Sequence, residues 1–399
     1  MSRFSTMAMA FLLVLIVAVG SLASASGAES GVAADGGGWT LQASPNPAGS
    51  DNTMLASVSC MSAVTCMAVG YSSGKHGLLT LAELLHNTTW TIEKTPDAAK
   101  DNYLTGVSCS GPAWCTAVGT SFTPDAVQAP LVEAWNGKTW LIQSTPSAGP
   151  NTTAGLESVS CNRPDSCTAV GAFSKSGPNA EERPLAEHWN GSKWTIQATP
   201  NPHAENGSQL DGVSCTATDA CTAGGNYAFA DIDQSIFALR WDGTQWSMQK
   251  QPNPEGQGDN TDSSVSCANA VACASVGTWV NGADAVAMLA ESWDGTTWVR
   301  DRTQNPAGAQ STVLNGVACA SVSRCMAVGG WTKYSSIPAY SLSESRNGSV
   351  WTLQATPNPS GSMISTLYGV ACASANDCVA VGSYWNGSIT QTLAEAYSG

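Results

Sequence analysis

The chain has 399 residues, and its 30 aspartates and glutamates outnumber 16 lysines and arginines, for a net charge of −14. A chain this acidic is a poor partner for nucleic acid or for an anionic membrane surface. Only 12% of residues are charged, whereas 39 are glycine and 19 proline, a composition that suits short strands joined by many turns.

In chain order, the first expected element is a secretory signal. Arg3 is the one charge ahead of an apolar run at 8–19, and Ala23-Ser24-Ala25 fits a signal-peptidase site, giving a signal over 1–25 with cleavage after Ala28 as the alternative. The apolar run is too short to span a bilayer, and no later stretch is apolar enough. The expected product is a secreted, extracellular protein without a membrane span. Residues 26–37 read as a flexible N-terminal segment and 38–399 as one folded domain.

That domain opens on a strand with nothing before it to pair with, GWTLQASPNP at 38–47. The same phrase closes later segments as WTIQATPNP (194–202) and WTLQATPNPSG (351–361). Between them the chain repeats. All 14 cysteines fall in C-x5-C pairs: Cys60/Cys66, Cys109/Cys115, Cys161/Cys167, Cys215/Cys221, Cys267/Cys273, Cys319/Cys325 and Cys372/Cys378. Successive pairs are 49 to 54 residues apart, the period of an internal repeat. We number the units one to seven by these pairs.

Each unit reads as four strands, in unit two LTGVSC (104–109), CTAVGT (115–120), PLVEAW (130–135) and WLIQS (140–144). Asn-Gly or Asp-Gly stands between the third and fourth strands, at Asn136-Gly137, Asn190-Gly191, Asp242-Gly243, Asp294-Gly295 and Asn347-Gly348. That dipeptide tolerates positive φ and is a strong hairpin signal. Four antiparallel strands repeated seven times, with no helical periodicity, predict an all-β seven-bladed β-propeller. The last unit stops at TLAEAYSG (392–399) without its tryptophan strand, so the N-terminal strand is expected to complete that blade and close the ring.

The hydrophobic strand ending in Ala117-Val118-Gly119, the aromatic pair Trp135 and Trp140, and the double glycines Gly224-Gly225 and Gly329-Gly330 resemble the kelch family of propellers, in a form suited to a secreted bacterial repeat protein. SWDGTTW (292–298) is similar to the Asp-box of sialidases but lacks the residue between Asp and Gly. The resemblance implies architecture and no activity. The cysteine pairs flank the turn between first and second strands, where cross-strand neighbours lie close enough for a disulfide. In an exported chain they predict seven local bridges. Zinc or thiol redox chemistry is disfavoured, since there are only four histidines, none placed systematically, and no C-x2-C spacing.

In a propeller the disulfide turns and the Asn-Gly turns share one face. The other face carries loops that here vary in length and content, such as 72–77, 173–183 and 227–235, so a site is expected there. Three groups stand out. Phe173, Tyr227, Trp279, Trp331 and Tyr384 lie six residues after the second cysteine of five consecutive units. They offer a stacking surface for sugars or peptide aromatics, or packing between blades, the favoured use. Glu157 and Asp211 follow the leucine that opens the innermost strand, and Asp262 replaces that leucine. All three are expected near the channel mouth, with Glu181, Glu182, Glu205, Asp231, Asp233 and Asp259 in nearby loops. These carboxylates suit Ca2+, with Asp231 and Asp233 as candidate metal ligands, or acid/base work on sugars; a solvated rim is the plainer reading. The glutamates of L-A-E-x-W, Glu83, Glu133, Glu187, Glu291, Glu344 and Glu395, recur too often to be catalytic and predict hydrogen bonds to a neighbouring blade.

Two functional classes follow. The first is a monomeric binding or adhesion module that presents one loop-rich face to an extracellular glycan, peptide or protein. The second is a secreted polysaccharide hydrolase or lyase using carboxylates at the channel mouth. No Ser-His-Asp or metal-ligand motif is present, so the sequence favours the binding module. It assigns no catalytic residue and requires no cofactor, Ca2+ being the one metal the carboxylates suit.

Overall fold

A computed structural model describes residues 37–75, 77–123, 125, 127–175, 181–202, 207–228, 234–254, 260–280, 285–333 and 337–399. These residues form 28 strands and no helix, the strands falling in antiparallel sets of four. Units two to five each make a separate four-stranded sheet, whereas units six, seven and one are joined through the single parallel bridges Ala339–Ile364 and Asn52–Thr390. In every set the innermost strand comes first: Ser50–Ser62, Asp101–Gly111, Thr152–Arg163, Ser208–Ala217, Thr261–Asn269, Ser311–Ser321 and Ile364–Ser374.

The innermost strands pack one on the next, and that of unit seven returns to that of unit one, so the sheets form the ring of a β-propeller. The strand Gly38–Gln42 pairs antiparallel with Thr390–Ser398, Trp39 opposite Tyr397, and so supplies the outermost strand of unit seven. Each hydrophobic core lies between two units. Val118 and Val132 of unit two pack with Leu156, Val159 and Trp194 of unit three. Val379, Val381 and Ala394 of unit seven pack with Leu55, Val58 and Trp90 of unit one. Burying a leucine or valine side chain stabilises by about 1.5–3 kcal/mol, so the ring is held by its interfaces more than by any single sheet.

Two polar devices repeat around it. On the rim, a tryptophan donates to the glutamine that ends the previous unit's outermost strand: Trp90 to Gln42, Trp194 to Gln143, Trp246 to Gln197 (2.8 Å each) and Trp298 to Gln249 (3.0 Å). On the channel side, the free edge of each innermost strand needs acceptors for its N–H groups. Serine hydroxyls of the preceding unit accept them, Ser59 from Cys109 N, Ser108 from Cys161 N and Ser160 from Cys215 N, at 2.9–3.0 Å.

All seven cysteine pairs are disulfides within their own unit, with Cα atoms 3.9–4.0 Å apart, and there is no free thiol. Such bonds persist in oxidising compartments. Both cysteines flank the turn between first and second strands, as the spacing predicts, but they differ in burial. The second cysteine of every pair, Cys66, Cys115, Cys167, Cys221, Cys273, Cys325 and Cys378, is buried, at most 5% exposed, and belongs to an interblade core. The first cysteines are only partly buried and pack against those cores from the edge. The reason is position in the sheet. The second cysteine opens the second strand, which is flanked by strands on both sides, whereas the first lies near the end of the innermost strand. The bridges therefore anchor the turn to the core and offer no sulfur to a ligand.

The Asn-Gly turns lean on the disulfide turns. Asn136 Oδ1 accepts from the backbone of Lys138 and Thr139, Gly137 takes φ +89°, and the Trp135 indole donates to Pro112 O at 3.2 Å. One face is therefore built of short, cross-braced turns. Among the described residues no helix is long and apolar enough to cross a membrane.

Candidate functional site: a ring of bulge residues in the central channel

The innermost strands enclose a channel cavity of about 400 Å3. Its shape comes from one repeated irregularity. Each innermost strand carries a β-bulge immediately after the leucine position, with register shifts at Leu55/Ser57, Leu104/Gly106, Leu156/Ser158, Leu210/Gly212, Asp262/Ser264, Leu314/Gly316 and Leu367/Gly369. A bulge leaves one residue out of the ladder and re-aims its side chain. The extra residues are Ala56, Thr105, Glu157, Asp211, Ser263, Asn315 and Tyr368, and all seven line the cavity. The glycine of A-V-G permits the bulge. A Cβ at Gly119 would overlap the carbonyl oxygen of Tyr103, and one at Gly171 that of Gly155. Thr105 and Asn315 secure the ring by donating to the backbone oxygens of Leu156 (2.8 Å) and Leu367 (2.9 Å) in the next unit.

The ring is uneven. Its two carboxylates are adjacent, Glu157 in unit three and Asp211 in unit four. On that side the cavity reaches outward along units two to four, past Tyr103, Thr120, Gly155, Ala172, Glu182 and Asn226. Asp211 is oriented by two amides, Gln209 Nε2 donating to Oδ1 (2.6 Å) and Asn226 Nδ2 to Oδ2 (2.7 Å). Burial, then the charge of Glu157, hold Asp211 well above the usual carboxylate range. Burial, followed by the charge of Glu182, pushes Glu157 up to about 7, and burial does the same for Glu182. Burial and the charge of Glu157 raise Tyr103 to about 12. Among described residues no lysine, arginine or histidine lines the cavity, which is an acceptor-rich, acidic pocket floored by tyrosine and amide groups.

Glu157 and Asp211 thus both line the channel. Asp262 reaches the cavity too, but by a different route. It occupies the leucine position, is 1% exposed and sits between units four and five, where Gly224 replaces the usual valine and a Cβ would overlap Asp262 Oδ2. Gln251 donates to Oδ2 at 3.1 Å, and the Ser275 hydroxyl and the Ser264 backbone also hydrogen-bond the carboxylate. The ring position of unit five belongs to Ser263. The outward arm of the cavity runs over units two to four.

The five second-strand aromatics do not line the cavity. Phe173, Tyr227, Trp331 and Tyr384 are half-buried and pack on the cores of their own interfaces, and Arg300 lies 4.1 Å over the Trp279 ring. Their position at the end of the second strand faces them into the neighbouring blade, which gives packing. Asp231 and Asp233, with Glu205 and Asp259, lie outside the described residues. Among described residues no group of three or more His, Cys, Asp or Glu is placed to hold a metal.

The six repeated glutamates are fully buried between blades. Glu83 accepts from Ser44 Oγ (2.8 Å) and Glu344 from Gln304 N (2.7 Å), both in the preceding unit. Sequence reasoning missed Tyr103, Gln209, Asn226 and Tyr368. For Tyr368 the signal available was the repeat position itself, because the residue after the innermost leucine position differs in every unit; Tyr103, Gln209 and Asn226 carry no such signal.

No protein-family model and no curated protein matches the chain. Solved structures do. YCF48 from Cyanidioschyzon merolae is 12% identical, with 90% of this chain and 98% of that one aligned at a TM-score of 0.52. A protein of unknown function from Dyadobacter fermentans is 10% identical over the same shares, also at 0.52. A polysaccharide lyase, an ulvan lyase bound to -[GlcA(1-4)Rha3S]-, is 8% identical over 77% of this chain and 80% of its own, again at 0.52. At these identities the likeness concerns the fold: this chain has propeller neighbours.

Proposed function

We propose that the chain is a seven-bladed, monomeric β-propeller that works outside the cell as a binding module, gripping a small part of a glycan or peptide in its central channel. The count of seven is supported by 28 described strands in sets of four and by the order of the innermost strands. Kelch propellers are then relatives in architecture. The observation that carries the function is the bulge ring. Seven equivalent positions carry seven different side chains, on a scaffold whose cysteine pairs and outermost-strand tryptophans repeat. That is how a symmetric fold makes one asymmetric pocket, with few polar groups converging in a concave site of ligand size. An extracellular setting accords with seven disulfides.

Hydrolysis or elimination on polysaccharide is the second reading. It is favoured by Glu157 and Glu182, both raised to about 7 in one cavity, where an acid and its conjugate base coexist at neutral pH.

Glycan- and peptide-array screening beside polysaccharide-turnover assays separates the two. We expect a retained ligand without turnover. Ala56→Trp, which fills the ring, should abolish binding, while Trp114→Ala on the disulfide face leaves it intact. Turnover lost in Glu157→Gln would favour the second reading. Binding that survives Ala56→Trp unchanged would move the site out of the channel.

A further inference from the structure

We propose that the group seated in the cavity is an organic cation, a protonated amine held between the bulge carboxylates Glu157 and Asp211. This rests on the channel being the binding site and adds the chemical class of what binds there. Four observations on the described residues carry it.

First, Glu157, Asp211, Glu182 and Asp262 meet in one cavity with no basic side chain in its lining. Carboxylates gathered away from bulk water disfavour one another's ionised forms unless a counter-charge is present. The described lining supplies none, so these carboxyls either hold protons or take their counter-charge from a ligand. Second, the amide donors of Gln209 and Asn226 already fix both oxygens of Asp211, so the remaining lone pairs are presented at a set angle, preorganised for an N–H donor. Third, Asp262, 1% exposed and held by Gln251 and by the Ser275 hydroxyl, adds another fixed carboxyl to the same lining. Fourth, the space suits a molecule more than an ion: it encloses about 400 Å3, and no cluster of three or more His, Cys, Asp or Glu is placed for a metal. A hard cation such as Ca2+ requires six to eight oxygens at about 2.3–2.6 Å.

A proton linkage follows. The titratable groups facing the site are Glu157, Glu182, Asp211, Asp262, Tyr103 and Tyr368, with Glu291 behind Asp262. Burial raises all of them, so at neutral pH part of the carboxyl population holds a proton. A cation favours the ionised forms and expels those protons; a neutral ligand does not. Anionic saccharides are disfavoured outright.

The amine has two sources, a deacetylated amino sugar or a lysine side chain, and calorimetry can separate them. The probes are a glucosamine oligomer, a lysine-containing peptide, the N-acetylated form of each, and CaCl2. Each is titrated in two buffers of different ionisation enthalpy at neutral pH. We expect one amine probe to bind at least about tenfold more tightly than its acetylated form and to release protons. We also expect the affinity to fall on acidification and Glu157→Gln to weaken it while reducing the proton release. Equal binding of amine and acetylated probes, binding without proton release, no binding of either amine, or Ca2+ binding lost in Glu157→Gln would each overturn the cation. If a neutral glycan binds and is blocked by Ala56→Trp, the channel site stands and only the cation falls. If nothing binds in a manner sensitive to Ala56→Trp, both fall.

Discussion

The interface between units two and three and the one between units four and five hold equivalent places in the ring, but they are built from different chemistry. In the first, Leu156 packs on Val118, and Glu187 is buried beside them. In the second, Asp262 replaces the leucine, Gly224 the valine, Gln251 the usual Ser or Thr and Ser275 the usual Ala, with Glu291 retained. The apolar cluster there reduces to Ala238, Val265, Cys273 and Trp298, with Cys267 and Trp293 at its edge. The substitutions compensate one another: the Asp262 carboxylate fills the space above Gly224 and is bonded by Gln251. A repeat can thus carry a buried carboxylate to the channel, provided three neighbours change with it.

Moving the aspartate without its partners should have the largest effect. Leu156→Asp places a carboxyl against Val118, with no glycine hole and no glutamine, and should cost about 4 kcal/mol or more, measured by denaturant unfolding. Asp262→Leu should cost far less or stabilise, because it removes a buried acid. Equal costs for the two would mean that the interfaces are not chemically distinct.

Next comes restoration of the regular pattern. Gly224→Val alone overpacks against Asp262 and should cost roughly 1–3 kcal/mol. The double change Gly224→Val/Asp262→Leu should recover most of that loss, giving a favourable coupling energy in a double-mutant cycle. Additive single effects would show that Gly224 and Asp262 are not a matched pair.

The smallest effect is in pH dependence. Burial raises Glu187 to about 8 and, with the charge of Asp262 added, Glu291 to about 9. A carboxyl whose folded pKa is raised stabilises fully below its unfolded pKa, and that contribution is lost as pH rises through the folded value. The melting temperature should therefore decline from about pH 5 to pH 9. Glu291→Gln should flatten that decline more than Glu187→Gln, because it also removes the charge facing Asp262. Identical flattening would place the Asp262 coupling at nothing.

The repeat was readable from residues alone, and for a definite reason. The C-x5-C pairs, the Asn-Gly turns and the A-V-G glycines answer local demands: a cross-strand covalent bond, a positive φ at Gly137, and the close approach of a carbonyl at Gly119. Such demands act within a few residues, so they leave a periodic trace. The completion of unit seven by Gly38–Gln42 was legible for the same reason, since a missing strand at one end matched a spare one at the other. That Cys115 is core while Cys109 is only half-buried was not legible, because the neighbouring blade decides which sulfur it covers. The site was legible only in part. Glu157 and Asp211 stand out in sequence because they break an apolar or neutral pattern. What they do depends on the bulge that turns them into the channel beside Asn226 and Tyr103, residues of other strands. The aromatics illustrate the reverse: an exposed stacking row and a set of interblade plugs have the same spacing, and only the facing blade decides between them. Asp262 shows why. Its side chain is placed by the cavity over Gly224 and the amide of Gln251, contacts made across an interface between units, and linear spacing does not encode which side chains an interface brings together.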